Sequence, residues 1–85
     1  NPNHAHVLNN LATVHELQGE HSTAEKMYQK AVELAPGFDE ALINLAAVYY
    51  NQKKYSKALL TINRVNPKTE NPKFRTYLNT ISSKL

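Results

Sequence analysis

The chain has 85 residues, of which 41% are hydrophobic and 20% are charged, and its formal net charge is +3. This length is enough for one small domain or for a piece of a larger protein. The absence of Cys excludes disulfides, thiolate metal sites and cysteine nucleophiles, and it leaves the compartment open. No apolar stretch approaches the ~20 residues of a membrane span, so we expect no membrane contact by this segment.

The sequence repeats itself with a fixed offset, which brings residue 5 onto residue 39. Shifting residues 5–33 by that offset onto residues 39–67 gives eight identical pairs, whereas unrelated segments of average composition give about two. The identities fall in two clusters, which indicates two helices in each unit. The first members of the identical pairs are Leu8, Asn10, Leu11, Ala12, Val14, Gln18, Ser22 and Ala24.

The first unit is typical of a helix, a turn and a second helix. Gly19 offers a left-handed residue that ends the first helix. Ser22 with Glu25 predicts a capping box at the start of the second helix, and Pro36 followed by Gly37 ends it. The apolar stripe of the first helix recurs at steps of three and four residues and consists of Val7, Leu8, Leu11, Ala12, Val14 and His15. The small residues Ala12, Ala24 and Ala31 are expected where helices approach closely.

The second unit begins at Asp39 and has Lys53 in the place of Gly19. If this turn also needs a positive φ, Lys53 costs about 1 kcal/mol relative to Gly. After this unit, Asn71 and Pro72 are typical of an N-cap and the first helical residue. The apolar stripe that follows predicts one capping helix over the open side of the second unit, and it consists of Phe74, Tyr77, Leu78, Ile81 and Leu85.

The order of small and large residues resembles the tetratricopeptide repeat family. The resemblance implies an all-α fold, in which antiparallel helix-turn-helix repeats stack as a short right-handed superhelix, an α-solenoid, with a C-terminal capping helix. Leu8 stands where the family often has Trp, and His15 where it often has Tyr. The matching residues are Leu8, Leu11, Ala12, His15, Gly19, Ala24, Tyr28, Ala31 and Pro36, then Leu42, Leu45, Ala46, Tyr49, Lys53, Ala58, Ile62 and Val65.

The expected organisation is a single domain that begins and ends with incomplete units. Pro2 matches Pro36 under the same offset, so residues 1–4 match the end of a preceding repeat, although Asn1-Pro2 could equally start a helix. We therefore expect a C-terminal fragment of a longer protein, whose uncovered N-terminal face also allows the isolated fragment to form a homodimer. The divisions are residues 1–85 for the domain, 5–38 for repeat 1, 39–67 for a truncated repeat 2, and 70–85 for the capping helix.

The resemblance also implies where a ligand binds. In this family the first helices of successive repeats line a concave groove that holds a peptide or a partner protein. Asn10 and Asn44 are equivalent there, and two carboxamides about 10 Å apart match about three residues of an extended peptide. They could instead be plain exposed polar residues. The predicted peptide-binding residues are Asn9, Asn10, Thr13, Leu17, Glu40, Ile43, Asn44, Ala47, Tyr50 and Asn51.

Neither catalysis nor a metal or other cofactor is expected. No nucleophile is paired with a base at a recognisable spacing, and His4 with His6 lack the further ligands of a metal site. The groove positions of the two repeats contain no Lys or Arg, which argues against a clamp for a C-terminal carboxylate. The capping helix could extend the groove with Arg75, Thr76 and Asn79.

Charge is divided unevenly along the chain. Residues 51–85 carry eight basic side chains and one acidic one, but these scatter over helix backs and turns and match no recognised nucleic-acid motif, so no nucleic-acid partner is expected. The function expected is a non-enzymatic protein–protein interaction module. The alternative is a structural spacer or dimerisation element of a larger multidomain protein. The partner's identity and the localisation stay open.

Overall fold

Five helices make up the computed structural model, which describes residues 2–85 and, for residues 2 and 3, the backbone alone. Short turns join the first four helices, and residues 63–72 connect the fourth to the fifth. The described residues contain no strand, and the predicted all-α fold class is confirmed. The helices are α1 (Pro2–Leu17), α2 (His21–Leu34), α3 (Asp39–Asn51), α4 (Tyr55–Ile62) and α5 (Lys73–Ser82).

The helices pack as two hairpins and a cap. Helix α1 pairs with α2, and α3 pairs with α4, while α2 lies against α3 and joins the two hairpins. Helix α5 contacts both α3 and α4, so it covers the open side of the second hairpin. Helices α1, α3 and α5 therefore follow one another on one side of the molecule, with α2 and α4 on the other.

Alanines sit at the closest contacts between helices. Ala12, Ala24 and Ala31 have no exposed surface, which confirms the prediction that these small residues allow neighbouring helices to approach. In the second hairpin Ala46 and Ala58, the equivalents of Ala12 and Ala24, are equally inaccessible. Larger side chains fill the space between, and the largest of those that are fully buried are Leu42, Ile43, Ile62, Ile81 and Val48.

Both hairpin turns have the same hydrogen bonds. At the first turn, Glu20 N–H donates to His15 C=O at 2.9 Å, and Gly19 N–H donates to the carbonyl one residue further on at 3.0 Å. At the second turn, Lys54 N–H donates to Tyr49 C=O at 2.8 Å in the same pattern. This is the Schellman motif, which needs a left-handed residue after the helix. Gly19 has φ 80°, and Lys53 has φ 63°.

The predicted capping box is wrong. Helix α2 begins at His21 directly after the turn, and no side chain caps its first residue. Ala24 N–H already donates to Glu20 C=O at 3.0 Å, so Ser22 lies inside the first helical turn and cannot act as the N-cap. At α5, by contrast, Asn71 Oδ1 accepts from Lys73 N–H at 3.0 Å, which fits the predicted capping role.

Residues 2–4 continue α1 and do not form a turn like residues 35–38. Of the predicted match between residues 1–4 and the end of a repeat, Asn1 lies outside the described residues, and the rest adopts the alternative of a helix start. At the other end of the chain, Leu85 lies beyond α5 and is 65% exposed, so it does not extend the buried stripe of that helix.

Candidate peptide-binding groove

The surface formed in succession by α1, α3 and α5, called the groove below, contains the predicted binding residues. Helices α1 and α3 supply all of these residues. Eight of the ten keep some accessible surface: Asn10, Thr13, Leu17 and Asn51 are exposed, and Glu40, Asn44, Ala47 and Tyr50 are half-buried.

Two of the predicted residues are closed to a ligand. Asn9 is 6% exposed and Ile43 is completely buried. They occupy the same position in the two repeats, and on α1 this position faces the next first helix, where Asn9 bonds to Asn44. Asn9 and Ile43 therefore pack beneath the groove surface. The prediction that they contact a ligand is corrected on this point.

Asn10 and Asn44 have different surroundings despite their equivalent positions. Asn44 Nδ2 donates to Asn9 Oδ1 at 3.1 Å, which ties α3 to α1. The Asn44 carboxamide keeps its oxygen and its second N–H for another partner. Asn10 is exposed. The carboxamide on α3 is therefore held by a neighbouring side chain, and the one on α1 is open to solvent.

Thr13 links an exposed position of the groove to the buried Tyr28. Its hydroxyl donates to the Asn9 carbonyl at 3.0 Å and lies 2.8 Å from the Tyr28 hydroxyl. Tyr28 is only 2% exposed. Burial raises the pKa of the Tyr28 phenol above its ordinary value of 10.0, the charge of Glu16 raises it further, and the hydrogen bond with Thr13 acts in the opposite direction.

The carboxylates at the two ends of the groove are engaged by the following unit. Glu16 Oε2 accepts from Asn51 Nδ2 at 2.8 Å. Glu40 accepts from Asn71 Nδ2, and its other oxygen lies 3.6 Å from Lys73 Nζ. Neither α1 nor α3 contains Lys or Arg. The groove side of the two repeats therefore presents mainly neutral hydrogen-bonding groups.

A cavity of about 210 Å³ opens in the groove between α3 and α5. Tyr50 forms one aromatic side of the cavity, and its ring packs edge-on against the ring of Tyr55 with centroids 5.4 Å apart. No Asp, Glu, Lys or Arg lines it. The lining residues are Ala47, Tyr50, Asn51, Thr76, Tyr77, Thr80 and Ile81.

The α5 side of this cavity is only partly predictable from the sequence. Helical phase places Thr76 at an extension of the groove, whereas it assigns Tyr77 and Ile81 to the core stripe and Thr80 to the outer polar side. Tyr77 is half-buried, so it serves both the core and the cavity. The available signal is the pair of Thr residues four apart beside that stripe, on the same helix face.

A second recess, of about 380 Å³, lies between α2 and α4 on the side away from the groove. Polar and charged residues line much of it, among them Gln29, Glu33 and Arg64. Within the described part of the chain, no group of three or more His, Cys, Asp or Glu is placed to hold a metal ion. No helix of that part is long and apolar enough to cross a membrane.

Helical hairpins that recur at a fixed interval and leave a lined groove define a helical repeat module. A family model described as tetratricopeptide repeat matches residues 15–78. The chain belongs to the tetratricopeptide repeat family, whose members are in general non-catalytic modules for protein–protein interaction.

Two curated proteins are similar to this chain in sequence. The chain is 38% identical over 61 residues to "TPR repeat-containing protein YpiA" of Bacillus subtilis, a match that covers 71% of this chain and 14% of that protein. It is 33% identical over 54 residues to "Tetratricopeptide repeat protein 6" of Homo sapiens, a match that covers 64% of this chain and 10% of that protein. The chain therefore matches only a small part of the length of these relatives.

Proposed function

We propose that this chain is a non-enzymatic interaction module that binds an extended segment of a partner protein along the groove. The observation that carries the proposal is the cavity between α3 and α5, whose lining residues Ala47 and Asn51 lie about one and two helical turns from the half-buried Asn44 on the same face of α3. Binding would therefore combine a side-chain pocket with hydrogen bonds to the peptide backbone, as in other peptide-recognition surfaces.

The size of the cavity supports a single side chain as its occupant. About 210 Å³ is below the ~300–1,000 Å³ of pockets that enclose whole small molecules. The aromatic rings of Tyr50 and Tyr77 favour an apolar or aromatic side chain, because burial of apolar area drives such contacts. The absence of charged lining groups disfavours an acidic or basic one, since an unpaired charge would be desolvated there.

The hydrogen-bonding groups suit a peptide backbone. Asn44 can donate and accept at once, so it can pair with the C=O and N–H of one peptide unit. Asn10 offers the same chemistry one repeat away, and Thr13 is a small residue on the same helix. We extend the proposal to Asn10, Thr13, Leu17, Glu40, Asn44, Ala47, Tyr50 and Asn51 as the contact surface, with Asn9 and Ile43 as its support.

The test uses a phage-displayed library of random peptides selected on the immobilised chain, with affinities of recovered peptides measured by calorimetry. Thr80→Trp should fill the cavity from an exposed position and weaken binding about tenfold or more. Ser82→Trp is the matched control, because Ser82 is an exposed residue of the same helix outside the cavity lining. Equal affinities for the two variants would reject the pocket, and failure to recover any saturable binder would reject the groove.

A structural role in assembly is the second candidate function. It is favoured by one observation, a half-exposed apolar face on α1 that lies outside the groove lining described above. The two roles are compatible, because they use different surfaces of the same helix.

A further inference from the structure

The recess between α2 and α4, called the α2–α4 recess below, has one nearly buried tyrosine in its wall. Tyr49 lines the recess and is only 7% exposed. Its hydroxyl oxygen accepts from Gln29 Nε2 at 2.8 Å, and no group among the described residues accepts the hydrogen of that hydroxyl. This hydrogen is therefore available to an acceptor that enters the recess from outside, whether water or a ligand.

Basic side chains surround this tyrosine on the α4 side. Lys54 Nζ and Lys57 Nζ lie 6.0 Å and 5.8 Å from the centroid of the Tyr49 ring. Arg64 follows the end of α4 and lines the recess itself. Helix α4 and the turn after it thus bring together basic residues that the sequence pattern leaves scattered over helix backs and turns.

Carboxylates neutralise only part of this positive charge. Glu25 Oε1 lies 3.3 Å from Lys54 Nζ, so Lys54 is paired. Neither Lys57 nor Arg64 forms an ion pair with a carboxylate of the described residues. The α4 side of the recess therefore combines unpaired cations with a hydroxyl donor, and this combination favours an anionic group.

The α2 side of the recess has the opposite character. Glu33 lines it, and the Oε2 atom of this residue lies 3.7 Å from Lys30 Nζ in an exposed pair. Gln29 Nε2 donates to Glu25 and to Tyr49, so Gln29 Oε1 remains as an acceptor. Donors and positive charge therefore lie on one side of the recess, and acceptors lie on the other.

We propose that the α2–α4 recess is a second binding site, which takes an acidic side chain of a protein segment. The carboxylate lies against Arg64 and accepts from the Tyr49 hydroxyl, while Lys57 adds positive charge beside them. Backbone N–H groups of the same segment face the acceptors of Gln29 and Glu33. The site does not depend on the groove, because the two surfaces lie on opposite sides of the molecule.

A peptide carboxylate suits this recess better than a phosphate group does. A phosphate monoester carries a charge of about −1.5 to −2 and only acceptor oxygens, so the Glu33 carboxylate on the other side would repel it. A peptide combines acceptors with N–H donors, and Glu33 can accept from the latter. Apolar surface in the recess can cover the aliphatic part of a glutamate side chain, and it comes from Val32, Pro36 and Leu45.

The test compares two blocked peptides of equal length, one of alternating alanine and glutamate and one of alternating alanine and glutamine. Each is titrated into the isotope-labelled chain, and NMR spectra follow the side-chain amides. The glutamate peptide should shift the Gln29 signals saturably and leave those of Asn44 and Asn51, in the groove, unchanged. The glutamine peptide should bind about tenfold more weakly or worse, because it lacks the carboxylate.

A pair of arginine variants separates the recess from net charge. Arg64→Gln should weaken binding of the glutamate peptide about fivefold or more. Arg75→Gln is the matched control, because it removes the same group from an exposed position outside the recess lining. Equal affinities for these variants would overturn the proposal. Tyr49→Phe should weaken binding about threefold or more, since it removes the hydroxyl donor, and urea denaturation checks that this variant is folded.

Other anions provide the remaining outcomes. Inorganic phosphate, a single-stranded oligonucleotide and vesicles that contain phosphatidylserine are each added at the ionic strength used for the peptides. The proposal predicts that none of them shifts the Gln29 signals at concentrations where the glutamate peptide saturates. If any of them does so and displaces the peptide, the recess binds phosphate groups, and the proposal is overturned. It is also overturned if the glutamate peptide shifts only signals of the groove.

Discussion

Lys53 adopts the left-handed conformation that Gly19 adopts at the equivalent position of the first hairpin, with φ 63° against 80°. The same Schellman hydrogen bonds surround both residues, so the turn and its backbone geometry are set by the packing of each hairpin. A residue with a Cβ is strained in this conformation and glycine is not. The second hairpin therefore holds a strained residue at a place where the first has none.

Replacing Lys53 with glycine should stabilise the domain. The expected gain is about 1 kcal/mol in the free energy of unfolding, measured by urea denaturation. Gly19→Ala should cost a similar amount, and since an added Cβ at Gly19 meets nothing within 4 Å, the cost would be conformational. Gly37→Ala is the control, because Gly37 has no positive φ and equal space. A loss of stability in Lys53→Gly would contradict this account.

The repeat period makes this turn predictable, because a fixed offset carries a position from one hairpin to the next. The same offset correctly places Ala12 and Ala24 at close helix contacts. It could not show that Val7, Leu11 and Val14 lie open, since equivalent residues are buried or exposed according to which neighbour is present. An apolar pattern indicates which residues form a contact surface, but it does not show whether a neighbour covers that surface.

The groove is less completely predictable, for two physical reasons. Asn9 and Asn10 are about 100° apart around α1, and helical phase does not show which of these two directions α3 covers; α3 covers Asn9 and leaves Asn10 exposed. Helix α5 is not a repeat unit, and its distance from α3 is not fixed by the period. The contribution of Thr80 and Ile81 to the cavity depends on that distance and is visible only in the structure.

The hydrogen bond between Asn44 and Asn9 predicts a stability difference between two equivalent residues. Asn44→Ala leaves the buried Asn9 carboxamide oxygen without its donor and should cost about 1–3 kcal/mol in unfolding free energy. Asn10→Ala removes an exposed side chain and should change stability by less than about 0.5 kcal/mol. Thermal and urea denaturation of both variants check this. A double change of Asn9 and Asn44 to Leu should recover most of the loss, because no unpaired polar group is then buried.

Tyr28 predicts a loss of stability at high pH. Its pKa in the folded state is raised above 10.0, chiefly by burial. The stabilisation is complete below the ordinary pKa of the unfolded chain and is lost as the pH rises through the folded-state value, because the unfolded phenol ionises first. Urea titrations from about pH 8 to about pH 11 should show a steeper decline for the natural chain than for Tyr28→Phe. Parallel curves would rule out this role for Tyr28.

Val14 and Val48 are the same residue at the same repeat position, yet one is 50% exposed and the other 1% exposed. Val48→Ala removes buried methyl groups from the contact with α2 and should cost about 2 kcal/mol in unfolding free energy, whereas Val14→Ala should cost less than about 1 kcal/mol. Urea denaturation of the two variants measures the difference. Equal costs for the two variants would show that Val14 is as well covered as Val48, which would contradict its exposure on α1.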